Sequence, residues 1–341
     1  MNSSTTHLPF RNFVHLTQPE AYDLMHRMLS GEMNTEEIAE VLSFLRRKGE
    51  TVAELVGFAT AIREMSEPVD LDQSSSPILD TCGTGGDGTN TFNISTATAF
   101  VVAGAGVRVA KHGNRRISSQ CGGSEVLEAL GIRVDLRIPQ VVECIRQTGL
   151  GFLHAPLLHP AVKHAQEARL QLKGRTVFNL LGPLVNPVHA RVRLIGAFSV
   201  RAAEMMAQAC ARLNVERAFV VHGADGLDEI TTTTHTTAFQ VEDGRVRKGR
   251  WAPGDFGVPQ ASLDDLQGGD PETNAGILRS ILAGDPGPAR DVVIANSAAA
   301  ILIAQHAPDL RSAVAAAADS IDSGAARRKL DELTEFTRTL A

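Results

Sequence analysis

The chain has 341 residues, of which 43% are hydrophobic and 21% are charged. A polypeptide of this length and composition can bury a large core, so we expect one or two folded domains and not a disordered chain. Its formal net charge is -6. This charge argues against a general nucleic-acid-binding protein, because such proteins depend on a cationic surface that displaces phosphate counterions.

Several sequence features indicate where in the cell the protein is expected. Residues 1–9 are polar and lack a basic stretch followed by an apolar core, so no secretory signal is expected. The longest apolar stretches, residues 97–105 and 298–304, are far shorter than the ~20 residues of a membrane-spanning helix. The four cysteines lie far apart without a CxxC pair, which is typical of neither a zinc site nor a disulfide framework. We therefore expect a cytoplasmic protein with reduced cysteines and no membrane association.

The first part of the chain carries helix-start signals. Thr17 with Glu20, and Asn34 with Glu37, have the spacing of a capping box, in which each side chain satisfies a backbone donor at a helix start. Apolar residues then recur with the helical period until a polar stretch rich in serine and proline. We predict a small all-helical domain over residues 1–75, completed by helical segments around residues 160–190.

After residue 75 the pattern changes to short β-type segments that alternate with helical ones, which predicts βαβ units. We expect an α/β fold in which residues 76–341 form a large domain with a mainly parallel central sheet flanked by helices. Candidate strands are residues 78–80, 107–110, 133–136, 151–154, 194–198 and 218–222. Candidate helices are residues 96–103, 124–130, 139–148 and 202–213, with a last helix starting near Ser323. Asp243 and Gly244 indicate an exposed hairpin turn.

A glycine-rich segment, residues 80–88, follows the first candidate strand and precedes a helix that Ser95 or Thr96 could cap. Glycines let a backbone approach a phosphate closely, and a helix start offers unpaired amides and partial positive charge. The segment also satisfies GxGxxG, a dinucleotide motif. However, six residues intervene before the helix, and the next strand runs into Lys111 and not into an acidic residue. We favour a phosphorylated ligand, while a turn without ligand stays open.

The second strand of this part runs into a basic segment, residues 111–119, with the sequence KHGNRRISS. Open parallel sheets place their ligands at the carboxyl ends of strands. Two anion-adapted loops on neighbouring strands predict a substrate with more than one phosphate. A solvated basic loop is the alternative.

Residues 222–230 follow a further candidate strand and contain Asp225, Asp228 and Glu229. Carboxylates on a loop are typical ligands of Mg²⁺, which usually takes one or two of them together with substrate phosphates. A solvated acidic turn is the alternative. Arg169 could hold an acidic acceptor through two parallel hydrogen bonds. His154 and His159 are more often packed or capping side chains than catalytic bases.

The motifs GTGGDG, TFNIST, KHGNR, FNLLGPL, HGADGLDE, DFG and NAGILRSILAG occur in this order over nearly the whole chain. In these motifs and their order, the chain resembles the anthranilate phosphoribosyltransferases. The resemblance implies a homodimer with a helical domain and an α/β domain of the nucleoside phosphorylase type, also called class IV phosphoribosyltransferase-like. It implies transfer of a phosphoribosyl group from phosphoribosyl diphosphate to anthranilate, with Mg²⁺ as cofactor, in tryptophan biosynthesis.

The resemblance also implies a set of site residues. Magnesium would be taken by Ser95, Asp228 and Glu229, and anthranilate would contact Gly83, Asn114 and Arg169, with His112, His154 and Pro183 lining its path. Lys111 and the metal would hold the charge of the transition state, and no residue is assigned as a certain catalytic acid or base. Phosphoribosyl diphosphate would be held by Gly83, Gly86, Asp87, Thr91, Asn93, Ile94, Ser95, Thr96, Lys111, His112, Gly113, Asn114, Arg115, Arg116, Ile117, Ser118, Ser119 and Gly123.

Two segments depart from the usual family pattern. Residues 120–123 read QCGG where the family more often has KSGS, and residues 166–168 read QEA where APV is usual. The first departure bears on Gly123 as a ligand, and the second bears on the placement of Arg169. Two other functions stay open, a pyrimidine nucleoside phosphorylase and a non-catalytic, nucleic-acid-binding relative.

Overall fold

A computed structural model describes residues 15–74, 76–115 and 120–340 of the chain. Within these ranges seven strands form one sheet, in the order β3-β2-β1-β4-β5-β6-β7. The five strands from β3 to β5 are parallel, and β6 and β7 are added antiparallel. The strands are β1 (Leu79–Gly83), β2 (Val109–Gly113), β3 (Leu150–His154), β4 (Val192–Gly196), β5 (Arg217–Gly223), β6 (Thr236–Glu242) and β7 (Arg245–Trp251). The predicted α/β class with a mainly parallel sheet is confirmed.

Helices cover both faces of this sheet, and the helices at the start of the chain form a separate layer. The first nine are α1 (Gln18–Leu29), α2 (Thr35–Lys48), α3 (Val52–Glu64), α4 (Ile94–Gly104), α5 (Gly123–Ala129), α6 (Ile138–Thr148), α7 (Ala155–Leu158), α8 (Lys163–Leu172) and α9 (Val177–Leu181). The others are α10 (Val200–Arg212), α11 (Pro271–Ala283), α12 (Pro288–Ile303), α13 (Leu310–Asp322) and α14 (Ala325–Thr339). Within the described ranges, no helix has the length and apolar character needed to span a bilayer.

Two hydrophobic cores lie on the two faces of the sheet. One face of β4, β5 and β6 packs against α10 and the amino-terminal helices, and their core also includes residues of α8 and α9. The other face packs against α4, α12 and their neighbours. The alternation of side chains along a strand explains this division, since Val220 belongs to the first core and Val221 to the second. The division into domains at residue 75 stays a prediction.

Local sequence signals located most of these elements. Both predicted capping boxes are present, at Thr17 with Glu20 and at Asn34 with Glu37. Five of the six candidate strands are present with bounds shifted by up to three residues, and Asp243 and Gly244 form the turn between β6 and β7. The start of α4 was predicted wrongly, because the helix begins at Ile94 and neither Ser95 nor Thr96 is its cap.

The strand predicted at residues 133–136 is wrong. Its alternation is real, since Ile132, Val134 and Leu136 are buried. However, the segment pairs with no strand of the sheet, and the backbone amide of Arg133 instead donates to Thr337 Oγ1 of α14 at 3.3 Å. An alternating pattern reports which side chains are buried, and it does not specify a ladder partner for the backbone.

A buried carboxylate ties the start of the helical layer together. Glu54 is fully buried and accepts hydrogen bonds from the amides of Leu16 and Thr51 at 2.8 and 2.9 Å. Its other partner is the ammonium group of Lys48, at 2.7 Å, whose side chain is only 2% exposed. Both charges are removed from water, so each depends on the other for compensation.

We expect Glu54→Ala to lower the free energy of unfolding by about 3 kcal/mol, because the change leaves the Lys48 ammonium buried without its carboxylate. Urea-induced unfolding followed by circular dichroism measures this change. Glu332→Ala is the matched control, since Glu332 pairs with Lys329 at a more exposed position. The control is expected to cost less than about 0.5 kcal/mol. Equal costs for the two variants would contradict this role of Glu54.

Candidate active site

The predicted site loops meet at the carboxyl edge of the sheet. The first loop follows β1, the second follows β2, and the acidic segment follows β5, so parallel strand order brings three distant segments of the chain together. Four of the parallel strands that reach this edge end in glycine, at Gly83, Gly113, Gly196 and Gly223.

These glycines allow the acidic segment to lie directly on the strand ends. A Cβ atom at Gly196 would lie 1.5 Å from the backbone oxygen of Asp228, and one at Gly83 would lie 2.6 Å from its carboxylate Oδ2. A Cβ atom at Gly223 would lie 2.4 Å from Asp225 Oδ1. No other residue type fits at these positions without displacing the segment. The glycines therefore set the distance between the carboxylates and the first loop.

The glycine loop after β1 is held by carboxylates. The amide of Gly85 donates to Asp228 Oδ2 at 2.7 Å, and the amide of Asp228 donates to Asp87 Oδ2 at 3.4 Å. Three glycines of the loop adopt positive φ angles, which L side chains rarely adopt: Gly85 (61°), Gly86 (71°) and Gly88 (80°). The loop and the acidic segment thus form one unit.

Helix α4 starts at this loop, with Asn93 at the N-cap position. The Asn93 side chain makes no cap bond. It accepts from Asn274 Nδ2 at 2.9 Å and donates to the backbone oxygen of Cys121 at 3.3 Å. These tertiary bonds explain why the helix begins earlier than predicted. Ser95 and the buried Thr96 lie in the first turn, where the positive end of the helix dipole favours an anion.

Lys111 connects the two predicted phosphate loops. It lies in β2, is only 4% exposed, and donates from Nζ to Ser95 Oγ at 3.0 Å and to the backbone oxygen of Thr81. Thr81 in turn donates from Oγ1 to the backbone oxygen of Ser95 at 3.2 Å. The ammonium group is therefore fixed beside the start of α4.

The acidic pair, Asp228 and Glu229, lies beside a third carboxylate, that of Asp87. Burial, followed by the neighbouring Asp87 and Glu229, raises the pKa of Asp228 well above its usual value. Burial likewise raises the pKa of Glu229 to about 7, although Lys111 and hydrogen bonding from Ser95 act in the opposite sense. Both side chains keep part of their surface open to solvent. A cation beside them would relieve the repulsion.

This donor set fits Mg²⁺. Two carboxylates and the Ser95 hydroxyl offer hard oxygen atoms, which this ion prefers. Among the described residues there is no cluster of three or more histidine, cysteine, aspartate or glutamate side chains arranged for a metal. Mg²⁺ sites in proteins commonly use one or two carboxylates and complete the shell with substrate oxygens and water.

Two buried histidines contact each other at the end of β2. His112 Nδ1 donates to the backbone oxygen of Gly182 at 3.2 Å, and its Nε2 lies 3.2 Å from Nε2 of His159. Burial lowers the pKa of His112 to about 4 and that of His159 to about 3. Both rings are thus neutral near pH 7, and His112 contributes no positive charge to the site. His154 Nδ1 lies 2.9 Å from the hydroxyl oxygen of Ser124.

The turn Gly182–Leu184 is held by three different elements. Each of its carbonyl oxygens accepts a hydrogen bond from a side chain of β2, β4 or α3. The donors are His112 Nδ1 to Gly182 at 3.2 Å, Arg193 Nη1 to Pro183 at 2.6 Å, and Arg63 Nη2 to Leu184 at 2.6 Å. This turn joins the amino-terminal helices to the sheet beside the site.

The segment after α8 reaches the glycine loop through two residues for which no role was predicted. Arg175 Nη1 donates to the backbone oxygen of Gly86 at 3.0 Å, and Asn179 Nδ2 donates to that of Thr84 at 3.1 Å. Their only sequence signal was their place in or just before the FNLLGPL motif. Arg169 is partly buried, and its guanidinium carbon lies 4.8 Å from the centre of the Phe178 ring.

The remaining predicted residues have varied surroundings. Arg115 forms an ion pair with Glu128 at 2.6 Å, and the amide of Arg115 donates to Asn114 Oδ1 at 2.7 Å. Thr91 forms an isolated β-bridge with Gln267, a contact that the sequence did not indicate. The predicted residues Gly113 and Gly123 lie at the end of β2 and the start of α5. Four predictions lie outside the described residues, namely Arg116, Ile117, Ser118 and Ser119.

Comparisons with known proteins agree with this arrangement. The model of the glycosyl transferase family, helical bundle domain, matches residues 10–66, and that of the same family's a/b domain matches residues 75–327. The anthranilate phosphoribosyltransferase of Solibacter usitatus is 53% identical over 94% of this chain and 95% of its own. That of Symbiobacterium thermophilum is 48% identical over 95% of each chain.

Solved structures give the same result. The crystal structure of anthranilate phosphoribosyltransferase from Thermus thermophilus superposes with a TM-score of 0.90 at 38% identity, covering 96% of this chain and 97% of its own. The enzyme from Saccharomyces cerevisiae in complex with phosphoribosyl diphosphate (PRPP) and Mg superposes with a TM-score of 0.87 at 29% identity, covering 95% and 94%. The chain belongs to the anthranilate phosphoribosyltransferase family.

Proposed function

We propose that the chain transfers the 5-phosphoribosyl group from PRPP to the amine of anthranilate. The products are N-(5-phosphoribosyl)anthranilate and diphosphate, and the reaction is a step of tryptophan biosynthesis. The observation that carries this proposal is the meeting of Lys111, the glycine loop and the acidic pair at one sheet edge, in a chain that is 53% identical to a curated member of the family.

The phosphate groups of the donor fit between the two loops. The first-turn amides of α4 and the fixed Lys111 ammonium supply positive charge to the side where diphosphate leaves. The residues implied by the resemblance are proposed to hold the donor, namely Gly83, Gly86, Asp87, Thr91, Asn93, Ile94, Ser95, Thr96, residues 111–119 and Gly123. Ser95, Asp228 and Glu229 would hold Mg²⁺, which when bound offsets the negative charge of the leaving diphosphate. The yeast relative's structure with PRPP and Mg supports this assignment.

The reaction depends more on the position of anthranilate, the acceptor, than on removal of a proton from its amine. The aromatic amine of anthranilate is unprotonated near neutral pH, so attack at C1 of the ribose needs no strong general base. Arg169 is proposed to bind the carboxylate of anthranilate, with Gly83 and Asn114 as further contacts. Its stacking on Phe178 supports this role, because the ring limits the orientations of the guanidinium plane. The neutral rings of His112 and His159 then form a wall without competing charge.

The proposal extends to assembly and location. The resemblance supports a homodimer, with α8 and α9 completing a helical domain and the site near its hinge with the α/β domain. All four cysteines are buried, and a cytoplasmic location, where thiols stay reduced, is proposed for the chain. A pyrimidine nucleoside phosphorylase is the alternative function, and it would use inorganic phosphate in place of a diphosphate-bearing donor.

We expect anthranilate fluorescence to fall when PRPP and Mg²⁺ are added to the purified chain, because the amine becomes substituted. Fluorimetry follows the loss, and a sample with excess chelator is the control. Thymidine with phosphate is expected to yield no thymine. Unchanged anthranilate fluorescence with and without Mg²⁺ would exclude the proposed reaction, and thymine release would favour the alternative.

We expect Asp228→Asn and Glu229→Gln to lower kcat by at least about tenfold and to raise the Mg²⁺ concentration needed for half-maximal rate. The physical reason is the loss of a carboxylate oxygen that binds the ion. Initial rates over a Mg²⁺ titration measure both effects. Asp225→Asn is the matched control, because that carboxylate accepts from Thr231 and Thr233 at 2.6 and 2.5 Å. It should lower thermal stability and leave the Mg²⁺ requirement unchanged.

We expect Arg169→Ala to raise the KM for anthranilate by about tenfold and to change the KM for PRPP much less. The variant loses the paired hydrogen bonds to the acceptor's carboxylate. Steady-state kinetics with each substrate varied in turn measures this difference. Lys163→Ala, at an exposed position of the same helix, is the control. Equal effects on both substrates would remove Arg169 from the acceptor site.

A further inference from the structure

A cleft of about 600 Å³ lies between one face of β5, β6 and β7 and the end of α12. None of the residues that line it belongs to the proposed active site. Its volume is within the range of small-molecule sites, which is about 300 to 1,000 Å³. The proposed transfer reaction gives this cleft no role.

Strand register determines which side chains face the cleft. Arg217 of β5 lies opposite Glu242 of β6, and Phe219 lies opposite Gln240, which in turn lies opposite Arg247 of β7. Paired residues of neighbouring strands point to the same face of a sheet. The two arginines therefore share one face although they lie on different strands, far apart in the chain.

The centre of the cleft is open because the two residues of its floor have a methyl group and no side chain. Ala238 and Gly249 are paired at this place, and a Cβ atom at Gly249 would have only one neighbour, the Ala238 oxygen at 3.9 Å. The opposite wall is apolar and includes Leu302, Ala307 and Pro308. A flat ligand would thus contact apolar atoms on two sides.

One end of the cleft is aromatic and rigid. The rings of Phe219 and Trp251 meet edge to face, with centroids 4.9 Å apart and an angle of 80°. Trp251 also packs against the buried Phe256 at 5.7 Å. These contacts fix the indole while leaving part of it exposed. Aromatic faces and edges of this kind favour a planar ring.

The other end carries an arginine without a partner. Arg217 Nε is buried and makes no hydrogen bond, and no ion pair of Arg217 with a described residue is present. Its strand neighbour Glu242 instead accepts from Gln240 Nε2 at 3.2 Å. The Arg217 guanidinium thus has no carboxylate partner among the described residues, so a ligand anion beside this group would be favourable.

Protection of an exposed edge strand explains only some of the positive charge. Edge strands often carry lysine and arginine to prevent pairing with other chains, and this accounts for Arg247, Lys248 and Arg250 of β7. It does not account for Arg217, which lies in β5, a strand with neighbours on both sides. The cleft is a local cationic site in a chain of net charge -6.

We propose that this cleft binds a small molecule that joins a planar aromatic ring to a phosphate group, in the manner of a nucleoside monophosphate. The ring lies at Phe219 and Trp251 over the floor formed by Ala238 and Gly249. The phosphate lies toward Arg217, two residues from Phe219 along β5, a separation of about 7 Å. Guanidinium groups bind phosphate oxygens through paired hydrogen bonds.

The chain offers a direct reporter, since Trp251 is its single tryptophan. We expect AMP to quench the Trp251 fluorescence of the full chain with a saturable dependence on concentration. Adenosine lacks the phosphate and inorganic phosphate lacks the ring, so each should bind at least about tenfold more weakly than AMP. No substrate turnover is measured, so the result is independent of the proposed reaction.

Two variants and a control locate the binding. Arg217→Gln removes the unpaired cation, and Gly249→Leu fills the floor at a position where a side chain meets open space. Each should weaken AMP binding at least about tenfold, while Arg245→Gln, which removes the same charge from the same sheet outside the cleft, should change it less than about twofold. Thermal melting checks that each variant is folded.

Each outcome of the AMP-binding experiment either supports the proposal or contradicts it. Weaker binding in both cleft variants with an unchanged control supports the proposal. Four results would overturn it: no quenching, unchanged binding in Gly249→Leu, an equal loss in Arg245→Gln, or adenosine binding as tightly as AMP. Because Gly249→Leu adds a side chain to an exposed strand position, it keeps the test decisive even if Arg217→Gln does not fold.

Discussion

The site depends on the absence of side chains at the ends of the parallel strands. A Cβ atom at Gly196 would overlap the backbone oxygen of Asp228 at 1.5 Å, and one at Gly83 would lie 2.6 Å from its carboxylate. Since the acidic segment rests on these two glycines, its carboxylates lie beside the glycine loop after β1. Asn296 of α12 fixes the same segment from its other side, through bonds to the amide and carbonyl of Ile230 at 3.0 and 2.8 Å. Close contact between the acidic segment and the glycines at the strand ends, and not a long side chain, therefore sets the position of the carboxylates.

The charges that this packing brings together do not balance within the protein. Asp228 and Glu229 have raised pKa values because burial and neighbouring carboxylates disfavour their charged forms. Lys111 is one nearby cation, and its Nζ is already bonded to Thr81 and Ser95. The electrostatic repulsion that raises these pKa values would be relieved by a cation beside the two carboxylates.

The turn Gly182–Leu184 connects this site to the amino-terminal helices. The guanidinium groups of Arg63 and Arg193 donate to its backbone carbonyls, and burial lowers the pKa of Arg63 to about 9. Such carbonyls compensate a guanidinium less completely than a carboxylate does, yet the hydrogen bonds fix the path of the backbone. His112 reaches the same turn from β2. The amino-terminal helices, β2 and β4 are therefore linked through one short segment.

The sequence by itself determined the local features of the fold. Capping boxes, the βα alternation and the hairpin turn at Asp243 and Gly244 were predicted correctly, because each depends on residues close together in the chain. Only the tertiary structure decided the rest. Residues 133–136 have a strand pattern but no strand partner, α4 starts at a residue fixed by Asn274, and Arg175 and Asn179 hold the glycine loop from another element. Arg217 and Arg247 share a cleft only through strand register. These contacts depend on which distant backbones become neighbours, and the spacing of residues along one chain does not contain that information.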